Sequence, residues 1–304
     1  MEHAPIALFV YNRPTHTRET IEALKNNLGA AESDLVIFSD APKNSDAVAG
    51  VIAVRDYIKS VDGFRSVKII ERDQNWGLAR SIIHGVTEVV RQHGRLIVLE
   101  DDIVTSSAFL TFMNLALDFY QDKQQVWHIS GWNYPIKTEK LNDVFLWRVM
   151  NCWGWATWAD RWKKFDKNPV RLINEFSEAQ QYHFDLDGSG IFWTQIIENA
   201  EKKIDTWAIF WYATIYQNHG LCLNPSLTYA DNIGIDGSGT HSGNSYSIER
   251  RKLNHSIEVN LDVKIQESSY AVEEIRVYYK SKKRPVLTRF INRLSRVILK
   301  KNIL

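Results

Sequence analysis

The sequence predicts an α/β protein built on a mixed sheet flanked by helices, and three observations carry that prediction. Over the first hundred residues, short β-rich runs alternate with helical patterns, as when parallel strands are joined by crossover helices. The strand-like runs are continuously apolar rather than alternating, which fits strands covered on both faces. Beyond residue 104 the alternation gives way to a tryptophan-rich half, in which ten of the eleven Trp lie between Trp127 and Trp211.

Each element has its own signal. Residues 6–11 form an apolar first strand, and 15–28 a helix opened by Pro14, whose fixed φ suits a first turn. Residues 35–38 are a second strand ending in Ser39-Asp40, followed by a helix over about 47–60. A third strand covers 67–71, a helix 77–93 with Asn75 as its cap, and a fourth strand 96–99. Residues 107–120 read as a helix and 126–130 as a strand; 206–217 is a further helix, with Asp205 placed to cap it. The run 234–243, GIDGSGTHSG, is a loop, and 258–279 reads as one or two strands. The expected organisation is one domain over 1–279 with a basic tail at 280–304. The domain divides into a first half at 1–104, a second at 105–245 and C-terminal strands at 246–279.

The 304 residues, 44% of them hydrophobic, suffice for a substantial core and exclude a disordered or fibrous chain. The net charge of +1 conceals an asymmetry. Residues 280–304 hold nine basic and no acidic side chains, leaving 28 basic against 36 acidic over 1–279. Cys152 and Cys222 are too few for a disulfide framework and lack zinc spacing, which fits a reducing compartment. The N-terminal apolar run is too short and lacks the basic start of a signal peptide. No stretch approaches the ~18 apolar residues of a spanning helix, so the expected location is cytoplasmic.

Open α/β sheets bind ligands beyond the C-terminal ends of their strands, which directs attention to 11–13, 39–40, 72–80 and 100–102. Glu100-Asp101-Asp102 is the strongest signal. Three adjacent carboxylates at a strand end repel one another unless a cation or a hydroxyl-rich ligand compensates them. Oxygen-only ligands suit Mg2+ or Mn2+. The helix start at Gly77 offers backbone N–H groups to an anion.

The ordered set of YNRP after strand one, Asp40 after strand two, N-x-G-L-A-R-S opening the third helix and L-E-D-D after strand four resembles the nucleotide-sugar glycosyltransferases of the GT-A fold. It is similar to the large inverting family two, and the EDD triplet resembles that of N-acetylglucosaminyltransferase I. The resemblance covers roughly residues 4–245. It implies that Tyr11 and Arg13 border the nucleotide, that Asp40 bonds a uracil base and that Arg80 approaches the diphosphate. It assigns Glu100 to the donor sugar, Asp101 to ribose or sugar hydroxyls and Asp102 to the metal. Taken with the basic tail, which suggests work at the cytoplasmic membrane face, the expected acceptor is a hydroxyl of a glycan on a lipid carrier or of another surface polysaccharide precursor.

Such transfer needs a base. Downstream carboxylates are Asp160, Asp166, Asp185, Asp187, Glu198, Asp205, Asp231 and Asp236, and Asp205 stands out within KIDTWAIFWYATIY, where an ionisable group is costly. The resemblance also places a base just before a helix, although the plain Glu-Asp pair common in family two is missing here. His241, in the glycine-rich loop, is a candidate metal ligand, and transferases of the GT-A fold often supply such a contact from a loop past the base. Trp153 and Trp155 are candidate acceptor contacts, since sugar C–H faces pack on indoles. Against this, Trp155, Trp158 and Trp162 at i, i+3, i+7 also read as a helix stripe in a core.

In the tail, apolar residues recur with helical spacing opposite Arg289, Arg293, Arg296 and Lys300. A basic amphipathic helix suits an anionic membrane surface, here the inner face of the cell membrane, while the acidic body speaks against nucleic acid. The alternatives are a sugar nucleotidyltransferase, disfavoured because YNRPTHT has no glycine to hold a triphosphate, and an inactive glycan-binding relative of the transferases.

Overall fold

All five side chains of β1 (Ile6–Val10) are buried, and their alternation sends Ala7 and Phe9 into one hydrophobic cluster and Ile6, Leu8 and Val10 into another. The sheet thus separates two cores. In this computed structural model, residues 3–234 and 251–282 are described. β1 is followed by α1 (Pro14–Lys25), β2 (Asp34–Ser39), α2 (Ser45–Ile58), β3 (Ser66–Glu71), α3 (Leu78–His93) and β4 (Arg95–Glu100), so the alternating first half appears as expected. The short β5 (Ile103–Thr105), α4 (Phe109–Tyr120), β6 (Val126–Ser130), β7 (Val144–Trp147) and β8 (Trp155–Trp158) come next. Helices α5 (Ala159–Trp162), α6 (Pro169–Glu175), α7 (Glu178–Phe184), α8 (Trp193–Ala200) and α9 (Ala208–Gln217) precede β9 (Leu221–Pro225), β10 (Ala230–Asn232) and α10 (Ser269–Lys282).

Eight strands form one mixed sheet in the order β3-β2-β1-β4-β8-β6-β9-β7. β3, β2, β1 and β4 run parallel, and β8 joins antiparallel to β4 through Val98↔Trp155. Strand order reverses beside β1, so the chain leaving β1 and the chain leaving β4 open onto one crevice, the place where such sheets take ligands. β5 and β10 pair antiparallel apart from the large sheet. That pairing folds the segment after β10 back over the end of β4, where the Ile233 N–H donates to the Asp102 carbonyl at 2.9 Å.

Three expectations need correction. Residues 251–268 hold no strand, and 269–282 form α10, which buries Ala271, Val272 and Ile275 at i, i+1, i+4. Charged residues between those positions give the run its false appearance of a two-residue period. The triplet Trp155, Trp158, Trp162 is not a helix stripe: β8 is extended, and Trp155 and Trp158 enter opposite cores. Asn75 does not cap α3, whose N-cap is Gly77 at φ 72°, a conformation that favours glycine. Among the described residues no helix is long and apolar enough to cross a membrane. The tail from 283 onward, with the basic side chains on which membrane docking was expected, lies outside the described residues.

Candidate active site

The acidic triplet ends β4 in the crevice between β4 and β1. Arg13, at the start of α1, donates Nη2–H to Asp101 and, at 2.9 Å, to Asp102 Oδ2. Thr20 anchors the turn by donating its hydroxyl to the Asp101 carbonyl at 2.9 Å. Among the described residues one guanidinium thus pairs with two of the three carboxylates, and the imbalance shows in their protonation. Burial, then Asp102 and Asp101, push the half-buried Glu100 up to about 8, against the smaller opposing pull of Arg13. Burial likewise holds Asp101 above its ordinary value despite Arg13. Arg13 is itself pulled down by burial, but its two carboxylates more than reverse this and raise it. A Cβ on Gly234 would lie 2.2 Å from Asp102 Oδ2 and 2.8 Å from Arg13 Nη1, so glycine at this position lets the backbone close on the ion pair.

An all-oxygen set with excess negative charge fits a hard divalent cation. Among the described residues no three His, Cys, Asp or Glu side chains converge as a ready-made cage. Such an ion would be held by Asp102 together with ligand oxygens, as is usual for magnesium. His241 lies outside the described residues.

Beside the triplet lies a cavity of about 350 Å³ walled by Trp132, Tyr134, Trp153, Phe192, Tyr212, Tyr278 and Tyr279, with Asn151, Gln195, Asp231 and Arg251 as its main polar groups. Cys152 joins the two regions. It lines this cavity, and its thiol is pushed up by burial and then by Glu100 and Asp102. Most contacts between the wall rings are edge-on or tilted: Trp132 meets Trp153 at 69° and Tyr134 at 66°, and Tyr134 meets Tyr279 at 65°. Asp231 is buried, and its Oδ2 accepts the Arg251 N–H at 3.1 Å. The Arg251 guanidinium is fixed on the Asn133 and Tyr134 carbonyls.

The sequence candidates separate on this map. Arg13, Glu100, Asp101 and Asp102 come together, and Trp153 lines the adjoining cavity. Tyr11 is near, its backbone slightly favouring the charged form of Asp101, while its hydroxyl accepts the Lys43 N–H at 2.9 Å. Asp40 is fully engaged within the protein. Its two oxygens accept the backbone N–H groups of Ala41, Trp76 and Gly77 and an Asn75 amide N–H. The anion at the start of α3 is thus the chain's own Asp40, which shapes the 72–77 turn. Arg80 is exposed and stacks on Trp76 at 4.3 Å. Trp155 is wholly buried among Trp162, Trp207 and His128 and is a core residue rather than an acceptor contact.

Asp205 does not sit in an apolar environment. Its side chain is 77% exposed and pairs with Lys167, in a surface groove shared with Arg80 and Arg91 that has no lining residue in common with the aromatic cavity. Nor does it cap α9, whose N-cap is Trp207.

Two residues beside these sites are not singled out by the sequence. Asp231 was one carboxylate among eight, and nothing in TYADN distinguishes it before β10 pairs with β5. Arg72, directly after β3, stacks on Trp76 at 3.9 Å and Phe38 at 5.5 Å, while its buried Nε and Nη2 have no hydrogen-bond acceptor among the described residues. A basic residue following an apolar strand, in the position Asp40 holds after β2, is the signal that would have found it.

No family model and no curated protein matches the sequence. Among solved structures, the mannosyltransferase PcManGT from Pyrobaculum calidifontis, in complex with GDP-Man and Mn2+, is 10% identical over 71% of this chain and 69% of its own, with a TM-score of 0.42. TarS from S. aureus is 12% identical over 60% of this chain at a TM-score of 0.37, and this chain spans only 34% of it. TarS 1–349 in complex with UDP is 10% identical over 60% of this chain and 55% of its own, with a TM-score of 0.38.

Proposed function

We propose that this chain is a metal-dependent glycosyltransferase that moves a hexosyl or N-acetylhexosaminyl unit from a nucleotide-diphosphate sugar, a UDP-sugar, to a hydroxyl of a glycan or lipid-linked acceptor, with inversion. The observation that carries the reading is the abutment, through Cys152, of an under-compensated acidic triplet and an aromatic cavity holding a buried carboxylate. The first suits a donor with its cation; the second suits a sugar acceptor with its base.

In this reading Arg13 and Arg72 face the donor's negative charge, Glu100 and Asp101 meet its hydroxyls, and Trp153 packs on the acceptor ring. Asp231, replacing Asp205, takes the acceptor proton as the acceptor oxygen attacks the anomeric carbon and the bond to the diphosphate oxygen breaks. Mn2+ or Mg2+ at Asp102 would neutralise the departing diphosphate. The nine basic residues over 280–304 support a peripheral seat on the cytoplasmic face of an anionic membrane.

The test is thermal stabilisation by UDP, GDP and their sugars with and without Mn2+, followed by release of nucleotide diphosphate. Stabilisation that requires both nucleotide and metal is the expected result. Indifference to every nucleotide would overturn the reading.

A further inference from the structure

The aromatic cavity is built for a particular neutral ligand. Its two charged lining groups, Asp231 and Arg251, are of opposite sign, so the wall offers no net charge to an ionic guest. Its rings meet at steep angles and leave concave apolar faces, which suit a ring with C–H faces. Two buried N–H donors belong to residues of this wall and have no acceptor among the described residues: Trp132 Nε1 and Asn151 Nδ2, on side chains each 7% exposed. Buried donors without acceptors are costly, and both are held firmly in place. Trp132 donates its backbone N–H to Ser130 Oγ at 3.1 Å, and the Asn151 carbonyl bonds the His128 ring at 3.0 Å. Because Trp211 donates to His128 Nδ1, His128 Nε2 carries the proton and is the donor to Asn151.

An oxygen that accepts without bringing a proton of its own would satisfy these N–H groups. A hydroxyl brings a proton that needs a further acceptor, and a carboxylate brings a charge this wall does not balance. An amide carbonyl does neither, its methyl fits the apolar rings, and its N–H has an acceptor available in Asp231. The volume, at the small end of the ~300–1000 Å³ of ligand pockets, holds one sugar ring with a substituent.

We infer that the cavity bounded by Trp132, Tyr134, Asn151, Trp153, Asp231 and Tyr279 selects an acetamido sugar, an N-acetylhexosaminide, as the acceptor. Its role as the acceptor site rests on the function proposed above, but its ligand preference is measured without catalysis.

Saturation-transfer NMR on the full chain, with and without UDP and Mn2+, would titrate methyl N-acetyl-β-glucosaminide, methyl β-glucoside, methyl β-glucuronide and tetramethylammonium. The expected result is transfer to the acetamido methyl and binding about tenfold tighter than the glucoside, the worth of a buried hydrogen bond. Trp132→Phe keeps an aromatic face while removing the N–H together with the five-membered half of the indole, a packing loss that both glycosides share, and Asn151→Asp turns the donor into an acceptor. Each should bring the acetamido sugar to within about threefold of the glucoside while melting like the parent. Equal binding of both glycosides, or preference for the uronide or the ammonium ion, would overturn the inference, as would variants that melt normally and keep the preference. Acetamido preference in a protein that binds no nucleotide would sink the transferase reading alone. Nucleotide-dependent donor cleavage without the preference would sink this inference alone.

Discussion

Replacing Arg13 by Gln removes the one guanidinium that, among the described residues, is set against the acidic triplet, and the cost can be worked from its surroundings. The side chains of Arg13, Asp101 and Asp102 are 19%, 5% and 13% exposed, so solvent does little to screen them. Breaking such a buried pair from one side costs about 3–5 kcal/mol. At ~2–4 °C per kcal/mol for a domain of this class, Arg13→Gln should melt roughly 6–20 °C below the parent in EDTA. The carboxylates can limit this loss by taking up protons, which is easier at pH 5 than at pH 8. Burial and mutual repulsion already hold Glu100 at about 8 and Asp101 above its ordinary value, and losing Arg13 raises both further. A carboxylate raised in the folded state keeps its proton where the unfolded chain has lost it, so stability falls as pH rises from the unfolded value toward the folded one. The deficit of the variant should therefore widen from pH 5 to pH 8. Saturating Mn2+ should restore more stability to the variant than to the parent, ~2.7 kcal/mol at a hundredfold excess over Kd. Scanning calorimetry across pH, with EDTA or Mn2+, reads all three. A variant within 2 °C of the parent at pH 8 in EDTA, or a deficit independent of pH, would refute the electrostatic picture of the site.

Asp231→Asn should lower transfer by about 10²–10⁴-fold with donor affinity kept, whereas Asp205→Asn, altering an exposed ion pair, should change it less than twofold; parallel steady-state kinetics decide between the two carboxylates. Asp185 is buried and its carboxylate accepts the backbone N–H groups of Gly190, Ile191, Phe192 and Trp193. Asp185→Ala should lose about 3 kcal/mol in urea unfolding and loosen the Phe192 wall of the cavity. Truncation after Lys282 should keep the fold and abolish binding to anionic vesicles, whereas truncation before Ser269 also removes the buried Ala271, Val272 and Ile275 and should leave the chain aggregating. Vesicle flotation and light scattering separate the two effects.

The first half was legible because one rule governs most of it. A strand buried on both faces must be continuously apolar, and where such a run stops in polar residues the C-terminal edge is marked. Thus 6–11, 35–38 and 96–99 match β1, β2 and β4 closely, and Glu100-Asp101-Asp102 stands where the last run ends. The edge strand β3, none of whose residues is buried, matches 67–71 through its β-branched content instead. The second half obeys no single period. β8 is flanked by a glycine turn and a four-residue helix, so the spacing of Trp155, Trp158 and Trp162 mixes two geometries and suggested a third. α10 was misread for the opposite reason: its helical period was present, and the charged residues between the buried positions imitated alternation.

Asp205 and Asp231 show what a linear reading of the site lacks. Density of aromatic residues along the chain measures how much of a segment is buried, not which members of it are. Asp205 sits in the turn before α9, where Trp207, Ile209, Phe210 and Trp211 go inward and leave it outside on Lys167. Asp231 lies in an unremarkable stretch, and its burial is made elsewhere: by β5, which holds it opposite Val104, by Arg251, twenty residues downstream, and by the rings of α10. Its distinction is non-local, and so is that of Asp40, whose carboxylate is filled by a turn 35 to 37 residues away. Residues that hold a charge at a strand end were therefore readable from neighbours in sequence, while the cavity beside them exists only once the second half and α10 have closed around it.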